Sequence, residues 1–544
     1  MSDENTNIAV TPSAYAYPLL IKQLLHTPRA IAAEQEIVYS DRLRMTYADM
    51  FERIGRFANL LARLGVARGE TVAMMDWDSH RYLESFFAVP MYGAVLQTVN
   101  IRLSAEQVAY TLNDAGASVV LVNAEFLPLL TQIRGELRTV RRFVLIADDA
   151  AELPEDFEGE YEALLGACPA HFDFPDLDEN ARATTFYTTG TTGNPKGVYF
   201  SHRQLVLHTL AVTAALAMAP SQGRFHRGDV YMPMTPMFHV HAWGVPYVAT
   251  MMGVKQVYPG RYLPDHLLKL KTTEKVTFSH CVPTILMMLL GAPSAKDVEL
   301  SGWKMVIGGS ALPGSLAQSA LDRGIDVFTG YGMSETCPIL TLAQIPPEVA
   351  LDQPNLELRL KTGRPVPLVD LKTVDAEMTA VARDGRAVGE VVVRAPWLTQ
   401  GYLNKPEASE QLWAGGYLHT QDIGSIDAAG FLQVTDRIKD VIKTGGEWVS
   451  SLELEDIISR CDGVAEVAVI AVPDDKWGER PAALVVVKAG ASIDEAAIRG
   501  QVEKSVEAGH VSRYAIPERV VFVEALDRTS VGKINKRALR EKYS

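Results

Sequence analysis

The side chains best suited to chemistry are concentrated between Tyr187 and Gly197, in the order Tyr-Thr-Thr-Gly-Thr-Thr-Gly-Asn-Pro-Lys-Gly. Glycine allows positive φ and a close approach of the backbone to a ligand, and successive amide groups in such a turn form a concavity that binds anions. Threonine hydroxyls and Lys196 add hydrogen-bond donors and a positive charge. These properties predict a loop that holds the phosphate chain of a nucleotide, although the same composition is also typical of a flexible surface turn.

This run differs from the common phosphate-binding loop. That motif requires Gly-Lys followed by Ser or Thr at the start of a helix. Here Pro195 precedes Lys196, and Gly197 follows it. A phosphate chain is therefore expected in a loop of another kind.

Two later segments carry groups that suit the rest of a nucleotide. In Tyr331-Gly-Met-Ser-Glu-Thr336 an aromatic ring can stack on a base, and Glu335 can bind magnesium, which prefers oxygen ligands. The carboxylate of Asp422 can accept hydrogen bonds from both ribose hydroxyls. Each feature by itself is also typical of an ordinary loop or of a solvated surface group.

An apolar segment, Met234-Thr-Pro-Met-Phe-His-Val-His-Ala-Trp-Gly244, is the best candidate for binding an aliphatic group. Apolar and aromatic walls with few polar groups suit an aliphatic chain. His239 either belongs to such a pocket or, as is more common for a histidine among apolar residues, to the core. Trp243 either lines the pocket or belongs to the core.

The order of these motifs resembles that of the adenylate-forming superfamily, which comprises acyl-CoA synthetases, luciferases and peptide-synthetase adenylation domains. The resemblance extends from about residue 35 to residue 540. Through the segments 236–244 and 443–450 it is closest to bacterial medium- and long-chain fatty-acyl-CoA ligases and to methylmercaptopropionate-CoA ligase.

The resemblance implies a set of contacts to ATP and AMP and a magnesium site formed by Thr188 and Glu335. The implied nucleotide-binding residues are Thr188, Thr189, Gly190, Thr191, Thr192, Lys196, Gly309, Ser310, Ala311, Tyr331, Gly332, Thr336, Asp422 and Arg437. Gln421 stands where the superfamily has glycine before the aspartate. This departure raises a question about the local backbone more than about the role of Asp422.

The resemblance also implies the remaining parts of the site. Lys533 matches the catalytic lysine, with Asp527 in place of the usual proline in its loop, and Lys439 matches the hinge. The implied CoA-binding residues are Lys443, Gly445, Gly446, Glu447 and Trp448. The implied acyl pocket is His239, Val240, Trp243, Gly308 and Gly309. His239 is the second implied catalytic residue and stands at the carboxylate end of this pocket, where it gates the pocket or orients the acid. Packing at a domain interface is an equal alternative for Glu447 and Trp448.

The implied activity is that of an AMP-forming acyl-CoA ligase, with ATP, Mg²⁺ and coenzyme A. The segment around His239 has no acidic residue of the kind that amino-acid-activating relatives use, which favours a simple carboxylic acid, and the resemblance implies a medium- or long-chain fatty acid. Methylmercaptopropionate and aryl or branched acids are alternatives, as is another acceptor on the same fold. A non-catalytic acyl-nucleotide-binding protein is disfavoured by the intact Lys533, Glu335 and Asp422.

Bulk composition limits the other classes. The chain has 544 residues, 47% hydrophobic and 22% charged, with a formal net charge of -14. This balance is typical of a soluble globular protein of several units and argues against a DNA or RNA partner. No signal peptide, membrane-spanning run or sorting signal is expected, and four dispersed cysteines predict buried, reduced thiols in the cytoplasm. A homodimer is implied by the superfamily alone.

The elements that position these motifs are predicted from hydrophobic patterning. Helical spacing at 49–64 and short apolar runs at 71–75, 119–122, 143–146 and 304–307 indicate parallel sheets covered by helices. We expect an α/β fold, in which a large N-terminal domain of two α/β subdomains and a small β-barrel-like subdomain (1–436) precedes a hinge (437–440) and a small mobile α+β domain (441–544).

Overall fold

The computed structural model describes residues 8–188, 194–219, 223–349, 355–444, 447–509, 511–528 and 534–544. The first elements are α1 (His26–Ile31), β1 (Glu36–Tyr39), β2 (Leu43–Thr46), α2 (Tyr47–Arg63), β3 (Thr71–Met75), α3 (His80–Tyr92), β4 (Val95–Thr98), α4 (Ala105–Asp114), β5 (Ala117–Asn123), α5 (Leu127–Ile133), β6 (Arg142–Ile146), α6 (Tyr161–Gly166) and β7 (Arg182–Tyr187).

The central part of the chain continues the alternation of strands and helices. Its elements are β8 (Gly197–Ser201), α7 (His202–Met218), β9 (Val230–Met234), the short turn α8 (Val240–Trp243), α9 (Val245–Met252), β10 (Lys255–Tyr258), α10 (Pro264–Thr273), β11 (Phe278–Cys281), α11 (Pro283–Gly291), β12 (Lys304–Ile307), α12 (Gly314–Asp322), β13 (Asp326–Gly332), β14 (Ile339–Leu342), α13 (Leu356–Leu360) and β15 (Arg364–Pro365).

The last part begins with mostly antiparallel strands and ends with a helix. Its elements are β16 (Asp370–Val374), β17 (Gly389–Arg394), α14 (Pro406–Leu412), β18 (Leu418–Ile426), β19 (Leu432–Arg437), β20 (Ile442–Thr444), β21 (Glu447–Val449), α15 (Ser451–Ser459), β22 (Val464–Asp474), β23 (Gly478–Val487), α16 (Glu495–Glu507), β24 (Arg519–Phe522) and α17 (Lys536–Tyr543).

Four sheets organise the described residues. A six-stranded sheet has the order β6-β5-β3-β4-β7-β8, and a nine-stranded sheet has the order β15-β14-β13-β12-β11-β9-β10-β1-β2. Both have parallel centres and antiparallel strands at an edge. An antiparallel sheet β16-β17-β18-β19 and a C-terminal sheet β21-β20-β23-β22, with β24 beside β23, complete the molecule. The expected α/β class with a small α+β C-terminal part is confirmed.

The predicted helix and strands correspond to observed elements. The helical pattern at 49–64 is α2, and the apolar runs are β3, β5, β6 and β12. All residues of β3 and β5 are buried, as expected for strands covered on both faces. Farther along, β19 begins only at Leu432, because Gly430 has φ +86° and its N–H closes a turn onto the Asp427 carbonyl (3.0 Å).

The topology brings the candidate residues to one region. Thr188 follows β7, Gly308 follows β12 and Tyr331 lies near the end of β13, and the carboxyl ends of parallel strands are where α/β folds bind ligands. The chain leaves one sheet at Arg437 and enters the next at Ile442. The domain limits proposed from the sequence remain a prediction.

Two smaller expectations can be compared with the structure. All four cysteines are free, but Cys461 is partly exposed, so the expectation of uniformly buried thiols was wrong for this residue. Cys461 follows the end of α15, where the chain turns at the surface. Within the described ranges, no helix combines the length and the apolar character needed to cross a bilayer.

A buried ionic network joins α2, α3 and α6. Arg53 Nε contacts Glu84 Oε1 at 2.6 Å, and its Nη1 contacts Glu162 Oε2 at 2.8 Å. The Glu84 side chain is fully buried, and Tyr161 Oη donates a hydrogen bond to its second oxygen (2.7 Å). The carboxylate therefore depends on Arg53 for charge compensation.

Replacing Arg53 with methionine should lower the free energy of unfolding of the region around the six-stranded sheet by about 3–5 kcal/mol, because the Glu84 charge stays buried without compensation. Urea-dependent susceptibility to proteolysis measures this. The matched control is Arg42→Met, which breaks the exposed Arg42–Asp149 pair (side chains 43% and 80% exposed) and should cost about 0–1 kcal/mol. Equal effects of the two substitutions would contradict the assignment.

Candidate active site

A single cavity of about 1360 Å³ lies where the nine-stranded sheet, the β16–β19 sheet and the C-terminal part meet. It gathers many of the residues named from the sequence, which are Thr188, Lys196, His239, Val240, Trp243, Gly308, Gly309, Ser310, Ala311, Tyr331, Gly332, Glu335, Arg437 and Lys439. Asp422, Thr336, Lys443 and Glu447 do not line it. Thr189, Gly190, Thr191, Thr192, Gly445, Gly446, Lys533 and the side chain of Trp448 lie outside the described residues.

Asp422 lies behind the cavity wall and holds two of its residues. Tyr331 Oη donates a hydrogen bond to Asp422 Oδ2 (2.6 Å), and Arg437 Nε donates one to Oδ1 (3.1 Å). Burial and the neighbouring carboxylate raise the pKa of Tyr331, which stays protonated. Asp422 raises the pKa of Arg437, although 49% of the arginine side chain is exposed. Both carboxylate oxygens therefore already have protein partners.

Gln421 adopts the conformation that glycine would favour. Its φ is +59°, in the left-handed region that most residues with a side chain avoid. Its N–H donates to Glu390 Oε1 (3.1 Å), and its carbonyl accepts from the N–H of Ile438 (2.9 Å). These contacts keep the backbone in place despite the departure from the superfamily pattern.

The part of the cavity for which the sequence predicts phosphate binding is lined by the two ends of the Thr188–Lys196 loop. The N–H of Thr188 donates to the Lys196 carbonyl (2.9 Å), and the N–H of Lys196 donates to Thr188 Oγ1 (3.3 Å). Lys196 Nζ lies 4.5 Å from the centroid of the Tyr402 ring. One of the predicted cationic groups is thus held at the mouth of the loop by an aromatic residue.

Tyr402 was missed by sequence reasoning. Its Oη donates to Glu335 Oε1 at 2.6 Å, and the Glu335 carbonyl accepts from the N–H of Thr399 at 3.0 Å. Burial and Glu335 raise the pKa of Tyr402. The sequence signal was weak, because a single tyrosine after Gly401 does not differ from one in an ordinary loop.

Glu335 is well placed to act as a magnesium ligand. It lines the cavity, and its Oε1 accepts the hydrogen bond from Tyr402. A carboxylate oxygen together with the Thr188 hydroxyl and substrate phosphates is a donor set that Mg²⁺ prefers. Among the described residues, no cluster of three or more His, Cys, Asp or Glu forms a protein-only metal site.

The apolar end of the cavity is formed by an unusual turn. Val240, His241, Ala242 and Trp243 all have positive φ, between +47° and +59°, and left-handed backbone costs roughly 1–2 kcal/mol per residue. A Cβ on Gly308 would lie 3.0 Å from Trp243 Cη2. Glycine at position 308 therefore leaves room for the indole at the cavity wall.

Neighbouring residues hold this turn in place. Asp78 Oδ1 accepts a hydrogen bond from the N–H of Met237 (2.9 Å), and Thr98 Oγ1 donates to the Phe238 carbonyl (3.0 Å). Burial raises the pKa of Asp78 to about 7. Both residues come from the six-stranded sheet region, and their positions far away in sequence concealed this role.

Two histidines, one within the turn and one packed against it, are core groups. The His280 ring lies tilted beside the Trp243 ring (centroids 5.0 Å apart). Its nitrogens form hydrogen bonds with Tyr231 Oη (2.8 Å) and Thr235 Oγ1 (3.1 Å). His241 is fully buried. Burial lowers the pKa of each to about 3, so both are neutral near pH 7. His239, in contrast, lines the cavity.

The C-terminal part closes the far side of the cavity. Arg528 and Ile534 line it, and Arg528 Nη1 donates to Thr284 Oγ1 in α11 (3.3 Å) while Nη2 pairs with Glu466 (2.7 Å). These residues flank the stretch that contains Lys533. Lys443 and Glu447 lie on the β20–β21 hairpin, outside the cavity lining.

The hinge region is tied to the C-terminal part. Asp436 Oδ2 accepts hydrogen bonds from the N–H and Oγ of Ser451, both at 2.6 Å. Asp440 pairs with Arg540 of α17 at 2.7 Å. Partial burial and the Arg437 cation lower the pKa of Lys439, which lies between these anchors.

Comparisons with family models match both parts of the chain. Residues 22–403 match the model described as AMP-binding enzyme, and residues 453–533 match the AMP-binding enzyme C-terminal domain.

Curated relatives match along nearly the whole length. A long-chain-fatty-acid–CoA ligase of Thermus thermophilus is 42% identical, covering 92% of this chain and 90% of the relative. A 3-methylmercaptopropionyl-CoA ligase of Ruegeria pomeroyi is 37% identical and covers 97% of both. A medium-chain-fatty-acid–CoA ligase of Ectopseudomonas oleovorans is also 37% identical, over 92% and 91%.

Solved structures share the arrangement. An anthranilate CoA ligase in complex with anthranoyl-AMP has a TM-score of 0.85 at 26% identity, covering 98% of this chain and 99% of that one. ATP-bound MatB from Rhodopseudomonas palustris has a TM-score of 0.82 at 25% identity, covering 97% and 99%. The fold therefore matches along the entire molecule.

The site geometry predicts a steric requirement at Gly332. A Cβ there would lie 1.7 Å from the Pro338 carbonyl oxygen, so Gly332→Ala must displace the backbone next to Tyr331. We expect ATP affinity to fall about tenfold or more, which corresponds to roughly 1.4 kcal/mol, when measured by calorimetry.

The control for this substitution is Gly291→Ala, where an added Cβ meets no atom within 4 Å. Its ATP affinity should equal that of the wild type. Unchanged ATP affinity in Gly332→Ala would show that the Tyr331 segment does not bind the nucleotide.

Proposed function

The chain belongs to the AMP-binding enzyme family and is an AMP-forming acyl-CoA ligase, and from that premise we propose that its acid is an unbranched medium- or long-chain fatty acid. The observation that carries this proposal is the continuity of one cavity. Its nucleotide end, at Tyr331 and Glu335, is joined to an apolar end at Val240 and Trp243. Apolar walls with few polar groups suit an aliphatic chain.

A second candidate acid is 3-methylmercaptopropionate. It is supported by the relative of Ruegeria pomeroyi, which aligns over 97% of both chains. The two candidates differ in length and in the thioether, and therefore in how far the acid extends past Trp243.

The first step would join the acid to AMP. A carboxylate oxygen attacks the α-phosphorus of ATP, the bond from that phosphorus to the bridging oxygen breaks, and pyrophosphate leaves. Lys196 and the 188–193 loop would hold the departing phosphates. Each Asp422 oxygen has a second lone pair beside its bond to Tyr331 or Arg437, so Asp422 with Arg437 would still hold the ribose. Lys533 would stabilise the charge that develops between carboxylate and α-phosphate, and His239 would orient the acid.

Magnesium fits the donor oxygens of Thr188 and Glu335, and when bound it would neutralise phosphate charge. The protein's own contribution at that end is orientation. Glu335 is held by Tyr402, and the ring of Tyr402 lies beside Lys196. Negative phosphate groups would therefore meet a fixed carboxylate and a nearby ammonium.

The second step would transfer the acyl group to coenzyme A. The thiol sulfur attacks the acyl carbonyl carbon, the bond from that carbon to AMP breaks, and the thiol proton leaves to solvent. Lys443, Gly445, Gly446, Glu447 and Trp448 would line the route of pantetheine. They lie in the C-terminal part, so we propose rotation about Lys439 between the two steps, a gating motion.

The position of the C-terminal part supports adenylation as the step that this conformation would perform. Arg528 and Ile534 flank Lys533 in the sequence and line the same cavity as Tyr331. The β20–β21 hairpin, with Lys443 and Glu447, does not line it. One domain would thus present its two functional segments in succession.

The compartment is proposed from the cysteines. All four are free, and three of them are buried, which fits a reducing environment such as the cytoplasm. A homodimer, as implied by the superfamily, remains a proposal.

A panel of acids tests the substrate class. ATP-dependent CoA thioester formation should be fastest with unbranched acids of medium or long chain, when product is identified by mass. Acetate, benzoate and branched acids should react at least tenfold more slowly in kcat/KM, about 1.4 kcal/mol in transition-state binding. Faster turnover of 3-methylmercaptopropionate than of any fatty acid would favour the second candidate.

The variant Trp243→Ala belongs to the same experiment. Removal of the indole beside Gly308 lengthens the apolar end, so the preferred chain should become longer. An unchanged chain-length profile would return Trp243 to the role of a core residue.

The role of Lys533 is tested by separating the half-reactions. Lys533→Ala should reduce adenylate formation by about 10²–10³-fold, the size typical of losing one transition-state donor. Thioester formation from supplied acyl-AMP should keep its wild-type rate. The control Lys542→Ala removes a nearby exposed lysine and should change neither rate, whereas equal loss of both half-reactions in Lys533→Ala would contradict the assignment.

A further inference from the structure

Tyr402 lies between the two charged groups of the phosphate end. Its hydroxyl donates to Glu335 Oε1 at 2.6 Å, and its ring centroid is 4.5 Å from Lys196 Nζ. It also lines the cavity. One side chain thus contacts both the carboxylate suited to a metal ion and the lysine suited to phosphate.

The backbone of Tyr402 is anchored to the base of the phosphate loop. It forms an isolated antiparallel bridge with Val198 of β8, and the N–H of Leu403 donates to the Gly197 carbonyl (2.8 Å). The N–H of Tyr402 donates to Ser409 Oγ (2.8 Å). These contacts give the side chain a fixed origin from which it reaches both Lys196 and Glu335.

We propose that Tyr402 is a positioning residue for ATP and its metal ion, which orients Glu335 through its hydroxyl and keeps Lys196 apart from Glu335 through its ring. The proposal rests on the nucleotide-binding role of this cavity and extends it to a residue outside the motifs described above. It does not depend on which acid is the substrate.

Charge separation is the physical reason. Among the described residues, Lys196 forms no ion pair with a carboxylate. Its ammonium instead lies over the ring of Tyr402, whose hydroxyl donates a hydrogen bond to Glu335. A direct ion pair would neutralise the lysine before phosphate arrives and occupy the carboxylate before the metal arrives. A cation over an aromatic face is held more weakly than one in a buried ion pair, so phosphate can attract the lysine away.

The hydroxyl of Tyr402 is the donor in its contact with Glu335, and Oη lies 2.6 Å from Oε1. A hydrogen bond to an ionised group is stronger than a neutral one. The second oxygen of Glu335 can then face the cavity.

Two variants separate the functions of hydroxyl and ring. Tyr402→Phe keeps the ring and removes the donor, and Tyr402→Leu removes both. The measurement is ATP binding by calorimetry, once with Mg²⁺ and once with EDTA, in the absence of acid and coenzyme A. No turnover occurs under these conditions, so failure of the proposed fatty-acid specificity would not affect the readout.

In Tyr402→Phe, the gain in ATP affinity that Mg²⁺ provides should fall about tenfold, as expected for loss of a hydrogen bond to a charged group. Metal-free ATP affinity should remain that of the wild type. In Tyr402→Leu, metal-free affinity should also fall, by about 2- to 5-fold, because without the ring Lys196 can pair with Glu335 and ATP must break an ion pair of roughly the ordinary strength.

Tyr417→Phe is the matched control. Tyr417 also donates to a carboxylate, Asp370 (2.9 Å), and has Arg394 and Lys372 over its ring (3.7 and 4.0 Å to the centroid), yet it does not line the cavity. This variant should bind ATP as the wild type does. If Mg²⁺ raised the ATP affinity of Tyr402→Phe as much as it raises that of the wild type, the proposal would be overturned. The same holds if that variant lost ATP affinity equally with and without Mg²⁺, which would indicate a structural role alone.

Discussion

The carboxylate of Asp422 joins two sheets of the molecule, and the shape of the cavity between them depends on it. It accepts from Tyr331 at the end of the nine-stranded sheet and from Arg437 at the last residue of the antiparallel sheet. Its own strand is paired to the strand that ends at the hinge. Because a buried carboxylate must have its oxygens satisfied, Tyr331 and Arg437 are held in one fixed relation.

Strain at the acyl end is balanced by contacts from the other sheet. Four successive left-handed residues, 240–243, would cost several kcal/mol in total if each costs roughly 1–2 kcal/mol. Asp78 and Thr98 bind the backbone just before this turn, and aromatic side chains surround His241. The turn is stable because burial and hydrogen bonds oppose its unfavourable backbone energy. Its geometry directs Trp243 toward Gly308, where the absence of a side chain leaves space.

At the neck of the Thr188–Lys196 loop, one aromatic side chain contacts two groups of opposite charge. The Tyr402 hydroxyl donates to Glu335, and the Tyr402 ring lies beside Lys196. Such an arrangement leaves both groups available for a ligand that carries its own charges. A protein with a net charge of -14 needs this local organisation, since its overall field repels a phosphate chain.

The sequence by itself determined the class of fold and the kind of reaction. Periodic apolar runs predicted α2, β3, β5, β6 and β12, since burial patterns repeat at the period of each element. Motif order indicated the family, because those motifs carry their chemistry in short stretches of chain. Only the tertiary structure decided the supporting contacts: Tyr402 meets Glu335 across 67 positions of sequence, and Asp78 meets Met237 across 159. It also showed Gln421 in a left-handed conformation held by distant hydrogen bonds. Such partners are chosen by the packing of whole sheets, and local propensity contains no information about them.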